Sequence, residues 1–306
     1  MEDGLLDLDE RAFDILDHIE PVGGKIIDPR YREVTVRQLL HHSGARAGGD
    51  YMVNPLVVDR PTDCTDVIRY ALGVLPLESD PGTKYSYSNF GYCILGRIIE
   101  EKSGQPYEDY VKKRVLASVG ITRMQIGRTL LKDRVDGEVR YYWSPRHRLW
   151  DSDYPDGPRG LPPQYGGIFL PRYDAAGGWL GSTIDLLRFV TSLDGTRPPA
   201  ILEADTVELM LSRHDPPLTS TARYYAMGWQ VTPATNGNIW QHSGSFWGAH
   251  ARLLRRYDGL AVAMQFNSGN DDSRAYSIAA NELLWEGIRN LGTLPNHDLF
   301  PLFGFE

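Results

Sequence analysis

Cysteine is nearly absent from this sequence. The two thiols in 306 residues, Cys64 and Cys93, cannot staple a chain of this length, and neither stands in a metal-ligand spacing. A basic cluster is also missing: 32 Lys plus Arg against 40 Asp plus Glu give a formal charge of −8 and a pI near 5.5. Nucleic acids and anionic membranes both require a positive footprint, so neither is an expected partner. Apolar runs such as residues 93–95 and 260–264 fall far short of the ~20 residues that span a bilayer. No signal peptide is visible, because Met1 is followed by Glu2, Asp3, Asp7 and Asp9, and a cytoplasmic location is the default expectation. What is present is ordinary for a globular protein: 42% hydrophobic and 24% charged residues argue against disorder. At roughly 150 residues per domain, the length suggests two lobes or one large one.

Hydrophobic periodicity sets out the elements. Residues 1–20 read as a short amphipathic helix with Phe13, Leu16 and Ile19 on one face. Residues 35–42 form another, stopped by Ser43-Gly44, and residues 62–73 a third with Val67, Ile68 and Ala71 as its stripe. After Asp80-Pro81-Gly82, the segment Tyr85-Ser86-Tyr87-Ser88-Asn89 opens a helix carrying Tyr92, Leu95, Ile98 and Ile99 and ending at Ser103-Gly104. Residues 107–118 follow as a helix closed by Gly120. Residues 130–175 are dense in Tyr, Trp, Pro, Gly and Arg, which favours an ordered flap over a linker. Helices are expected over 183–193 and 203–211, strands over 225–231, 239–242, 249–256 and 260–266, and a hairpin at Asp258-Gly259. A closing helix over 271–291 is expected to face inward with Tyr276, Ala279, Leu283 and Ile288. The layout is α+β: a mainly helical region over 1–215, then an antiparallel sheet with a C-terminal helix over 216–306, one domain overall.

Three patterns carry chemistry. Tyr87-Ser88-Asn89 opens a helix, Ala176-Gly177-Gly178-Trp179 leads into Ser182-Thr183-Ile184-Asp185, and His242-Ser243-Gly244-Ser245 ends a strand before Trp247-Gly248. Each alone reads as a turn; their order, with a hairpin and a terminal helix after the last, is hard to obtain by chance. Through these blocks, and through "TVRQLLHHSG", "PGTKYSYSNFGYCILGRIIEEKSGQPYEDYV" and "QHSGSFWGAHARLLRR", the chain resembles the β-lactamase-related serine hydrolases. That family shares one fold among class C β-lactamases, D-alanyl-D-alanine carboxypeptidases, D-aminopeptidases and a group of esterases. The likeness covers nearly the whole chain. It implies a penicillin-binding-protein-like fold and an acyl-transfer site without metal or cofactor. Tyr87 and Asn89 stand at the Y-x-N positions, and His242 and Gly244 at the ends of K-T-G, with His in place of Lys.

A serine nucleophile needs a base within hydrogen-bond reach. In this family the Lys of S-x-x-K and the Tyr of Y-x-N would share that task, the Tyr only where neighbouring cations favour its phenolate. Asn89 would hold the substrate carbonyl and the lysine. Gly244, lacking a side chain, would let substrate lie along the strand edge beside Ser243. The Ser245 N–H would be one oxyanion donor. Trp143, Trp150, Trp179 and Trp247 are candidates for the cleft wall, with core packing an equal reading for Trp179. Tyr141, Tyr142, Trp143 and Trp150 in the aromatic flap would favour an apolar acyl or aryl group.

The departure lies in the S-x-x-K motif. Three residues before the six lysines stand Val22, Pro81, Ile99, Asp109, Tyr110 and Thr129, so the motif occurs nowhere. Set against the family pattern, the chain reads as truncated, with the nucleophile helix and early strands missing, and therefore inactive on esters and β-lactams. The alternative is a non-catalytic peptide or cell-wall-binding module on the same fold. His41-His42 raises a metal, but adjacent histidines point apart on a helix and a turn explains them better. No G-x-S-x-G, G-x-G-x-x-G or Walker pattern is present. The expected partner is a small-molecule ester, amide or peptide. A neutral His242 in place of a fixed lysine charge would favour esters and peptides over carboxylate-bearing β-lactams.

Overall fold

The computed structural model describes residues 1–48, 50, 63–144, 149, 151, 158–270, 272–293, 297 and 300–303. The helix expected over residues 1–20 contracts to α1 (Ala12–Ile15). Its flank is claimed by tertiary pairing instead: Arg11 bridges Thr35, the Ala12 N–H donates to the Val34 carbonyl and the Val36 N–H to that of Glu10. The apolar residues still do their work, because Phe13, Leu16 and Ile19 are buried. Next comes α2 (Val36–Leu40), opened by a capping box in which the Thr35 hydroxyl and the Gln38 side chain satisfy each other's backbone N–H.

Two longer helices form the centre of this region. In α3 (Cys64–Val74), Val67, Ile68 and Ala71 are fully buried, as the stripe predicted. In α4 (Asn89–Ser103), the Ser88 hydroxyl caps the N-terminus by accepting from the Gly91 N–H at 2.9 Å, and Gly104 at φ 65° closes the C-terminus. A Cys64–Cys93 disulfide joins the two helices across a Cα separation of 5.7 Å, a local staple that the sequence spacing did not announce. The helix α5 (Tyr107–Tyr110) continues as a π-helical turn, Val111–Leu116, and a 3-10 turn, Ala117–Val119, before stopping at Gly120.

Short strands β1 (Gln125–Ile126), β2 (Tyr142–Trp143) and β3 (Trp179–Leu180) tie the loop-rich middle to the rest, β1 pairing with β3. A second capping box, Ser182 with Asp185, opens α6 (Thr183–Leu193), and α7 (Ala204–Met210) follows. The main sheet is antiparallel, in the order β4 (Tyr224–Tyr225), β5 (Gln230–Ala234), β6 (Gly237–Phe246), β7 (Ala249–Arg256) and β8 (Ala261–Phe266). The strand expected over 225–231 is thus two strands. The Ala226 N–H turns back onto the Trp229 carbonyl, and Gly228 supplies the φ of 90° that the reversal needs. The segment expected to end at His242 runs on to Phe246. Finally, β9 (Ser268–Gly269) pairs in parallel with β2, and α8 (Ser273–Arg289) closes the fold.

The inward face of α8 is rotated from expectation. Ala280 and Leu284 are buried, whereas Ala279 is exposed and Leu283 is 57% exposed. The i, i+4 row from Tyr276 governs the packing, with the Tyr276 ring against Phe266 and His250 and its hydroxyl 3.1 Å from Ser268 Oγ. One apolar core gathers α1 to α4, Tyr173 and Met227; a second lies between α6 and the sheet around Trp229, Trp240 and Leu253. Among the described residues no helix is long and apolar enough to cross a membrane.

Candidate active site

A cleft of about 760 Å³ runs between the N-terminus of α4 and the second half of β6. All eight residues singled out from the motifs line it: Tyr87, Asn89, Trp179, His242, Ser243, Gly244, Ser245 and Trp247. Two local facts bring them together. The Ser88 cap fixes where the chain enters α4, and with it the two neighbours of Ser88, Tyr87 and Asn89. On the other wall, β5 pairs with β6 only as far as Gln230↔Gln241, so from His242 to Phe246 the outer edge of β6 has no strand beside it among the described residues. A Cβ built on Gly244 meets nothing within 4 Å, so this stretch of the strand borders open space. The rings of Tyr87 and His242 are 6.4 Å apart. Trp179 is anchored by donating its indole N–H to Tyr107 Oη at 3.2 Å.

The aromatic flap divides. Tyr141 lines the cleft, Tyr142 is 58% exposed on β2, and Trp143 packs over Gly269 rather than facing the cleft. Trp150 lies outside the described residues.

The histidine pair plays a larger part than a turn. His41 turns its Nδ1 to the Tyr225 carbonyl at 3.3 Å and its ring to His214. His42, at a φ of 55° and 2% exposed, sits inside a cage of tyrosines, with ring centroids 4.2 Å from Tyr87, 4.4 Å from Tyr225 and 4.8 Å from Tyr92. The Ser88 N–H, midway between Tyr87 and Asn89, donates to His42 Nδ1 at 3.1 Å. The Tyr225 hydroxyl lies 3.0 Å from His242 Nε2, so this tyrosine ties the α2 end to the H-S-G strand. Sequence reasoning placed Tyr92 on a helix stripe and Tyr225 at the start of a strand without assigning either to the site, and read His42 as punctuation.

The ionisable groups on the cleft wall are held in their neutral forms. Burial pushes the Tyr87 phenol up to about 12, with nearby Tyr85 and Asp50 adding to the effect, so it stays protonated at neutral pH. Burial also lowers the His242 imidazole from its ordinary value, and that of His250 on the same wall. Among the described residues lining the cleft there is no Asp, Glu, Lys or Arg.

The wall has one tight joint. A Cβ at Gly167 would lie 2.0 Å from Trp247 Cζ3 and 2.4 Å from Cε3. Gly167→Ala should therefore swing the Trp247 indole and cost about 1–3 kcal/mol of stability through overpacking. Trp247 fluorescence in a background lacking the other tryptophans, together with urea denaturation, reads both changes; an unshifted spectrum at full stability would refute the contact.

The beta-lactamase family model matches residues 1–284 of the chain. Penicillin-binding protein 4* of Bacillus subtilis is 25% identical over 288 residues, spanning 90% of this chain and 60% of its own length. A protein of Dichelobacter nodosus named for fimbrial assembly, FimD of serogroup D, is 26% identical over 273 residues, 84% of this chain and 59% of that protein. The chain thus spans about three-fifths of the length of these curated relatives. Among solved structures, the D-amino acid amidase of Ochrobactrum anthropi superposes with a TM-score of 0.69 at 22% identity, covering 95% of this chain and 80% of that one, a likeness of fold. With helices packed on an antiparallel sheet and a family match over most of its residues, the chain belongs to the beta-lactamase family.

Proposed function

We propose that the cleft is an acyl-transfer site for neutral esters, amides or small peptides. Tyr87 and Asn89 face the acyl carbonyl, His242 serves as a neutral hydrogen-bonding partner, and Ser243 to Ser245 offer backbone along the free edge. The observation that carries this reading is the absence of charged side chains from the described cleft wall, on the edge of a strand with no outer neighbour. A carboxylate would enter such a wall without a counter-charge and lose its hydration. A neutral amide gives up far less. The solved structure of like fold that is named as an amidase is in keeping with the amide class.

No serine stands three residues before any lysine in the 306 residues. That favours a second reading, in which this stretch binds its ligand without turning it over. The 306-residue chain is accordingly expected to show no steady-state hydrolysis of nitrocefin and no retained fluorescent penicillin. Calorimetric titration tests the cleft itself. A neutral aryl amide should bind at least ten-fold more tightly than the matching free acid, and His242→Lys should narrow that gap by improving the acid. Equal affinities, or a gap that His242→Lys leaves unchanged, would refute the neutral-substrate reading.

A further inference from the structure

Ser245 on β6 and His250 on β7 face each other directly in the strand register. Ser245 Oγ lies 3.2 Å from His250 Nδ1, and both residues line the cleft, Ser245 exposed and His250 5% exposed. The serine hydroxyl has a longer alternative, the Ala249 carbonyl at 3.4 Å. The imidazole has two aromatic neighbours, with ring centroids 6.5 Å from Phe266 and 5.8 Å from Tyr276. Burial, with the Arg252 charge adding to it, lowers the proton affinity of His250, and the tautomer with its hydrogen on Nε2 presents Nδ1 to the serine as an acceptor. A Ser–His pair across two strands is commonly just a stabilising cross-strand contact. Here both partners line the cleft, the serine on its exposed strand edge.

We propose that Ser245 is an acyl-accepting nucleophile in this cleft, with His250 as its base. The inference rests on the cleft being an acyl-transfer site. With an aryl ester, Ser245 Oγ bonds to the carbonyl carbon as its proton passes to His250 Nδ1. The carbon–oxygen bond to the aryl group then breaks, and the departing phenolate takes the proton back from the imidazolium. The products are acyl-Ser245 and a phenol. His250 Nε2 is buried and finds no hydrogen-bond partner among the described residues. No third group therefore steadies the imidazolium, and the event is slow and stoichiometric rather than a turnover.

The test is covalent labelling of the 306-residue chain with a fluorophosphonate. The adduct site is mapped by peptide mass spectrometry, and reversible binding of a neutral aryl amide is measured alongside. In labelling, Ser245 Oγ displaces fluoride from phosphorus while His250 takes the serine proton. The expected result is one adduct, on Ser245, absent from Ser245→Ala and formed at least ten-fold more slowly in His250→Phe, which keeps a ring against Phe266 and Tyr276. The mapped site in the unaltered chain decides the matter even if a variant folds poorly. Amide binding with no adduct, with an adduct elsewhere, or with a rate indifferent to His250→Phe overturns the role of Ser245 and leaves the cleft reading intact. Absence of both binding and labelling overturns the cleft reading itself.

Discussion

His42→Leu is expected to destabilise the protein by about 2–4 kcal/mol and to loosen the Tyr87 side of the cleft. Leucine removes the acceptor of the buried Ser88 N–H, and an orphaned buried donor costs about 1–3 kcal/mol. It must also adopt the φ of 55° that histidine now holds, and a left-handed conformation disfavours a branched side chain by about 1–2 kcal/mol. His42→Asn should recover part of the loss, since asparagine tolerates that φ and offers an oxygen near the place of Nδ1. The same residue predicts acid sensitivity. Burial pushes His41 down to about 4 and His42 down to about 3, from an unfolded value near 6.5. Below pH 6.5 the unfolded chain takes up protons that the folded chain refuses, so stability is full above that pH and declines as the pH falls towards 4. Urea denaturation at pH 7.5, 6 and 5 checks both statements, with a shallower decline in His42→Asn. A midpoint that does not move across that range, or His42→Leu as stable as the unaltered protein, would contradict the account.

Asp194→Ala should be at least as damaging, at about 3–5 kcal/mol. An aspartate at the C-terminal cap of α6 opposes the helix dipole, so its presence needs another reason. Arg255 supplies it. Its side chain is 3% exposed, donates from Nε to Asp194 Oδ2 at 2.6 Å and from Nη2 to Thr196 Oγ1 at 2.6 Å, and reaches the Gly259 carbonyl in the β7–β8 hairpin. Removing the carboxylate strands a guanidinium in the interior, and breaking a buried pair from one side is far more harmful than removing both partners. The double variant Asp194→Ala, Arg255→Met should therefore regain much of the loss. Thermal and urea unfolding of the two variants side by side settle it; a loss under about 1 kcal/mol for Asp194→Ala would count against the pair.

Much of this was legible because short-range chemistry decided it. The helices expected over 35–42 and 183–193 open on capping boxes, Thr35 with Gln38 and Ser182 with Asp185, and the 0% exposure of Val67, Ile68 and Ala71 follows from helical spacing. Tyr87 and Asn89 flank the Ser88 cap at the start of α4, a local signal, whereas His242 to Gly244 lie within β6 and meet them only through tertiary packing. The misses share a different cause. Phe13, Leu16 and Ile19 required burial, but burial in a helix turn and burial in a bridged loop leave the same stripe. In α8, apolar residues occur on more than one face, and only the sheet determines that Ala280 and Leu284, not Leu283, turn inward. Tyr225 looked like an ordinary strand aromatic. Its meeting with His42 and His242 joins positions far apart in the chain, and nothing in its neighbours encodes that.

The half-paired strand β6 also sets a limit on ligand size. The unaccompanied stretch from His242 to Phe246 is five residues. At ~3.3 Å per residue it offers roughly 16 Å of backbone. Both ends are stopped: β5 occupies the edge up to Gln241, and the turn beyond Phe246 is wedged, a Cβ on Gly248 standing 3.0 Å from Tyr141 and 3.1 Å from Gln164. An extended chain laid there has room for about five residues before it must bend away. On the proposed reading, a long polymer would present only a terminus or a loop to this edge, whereas a dipeptide or an acylated amine would be admitted whole.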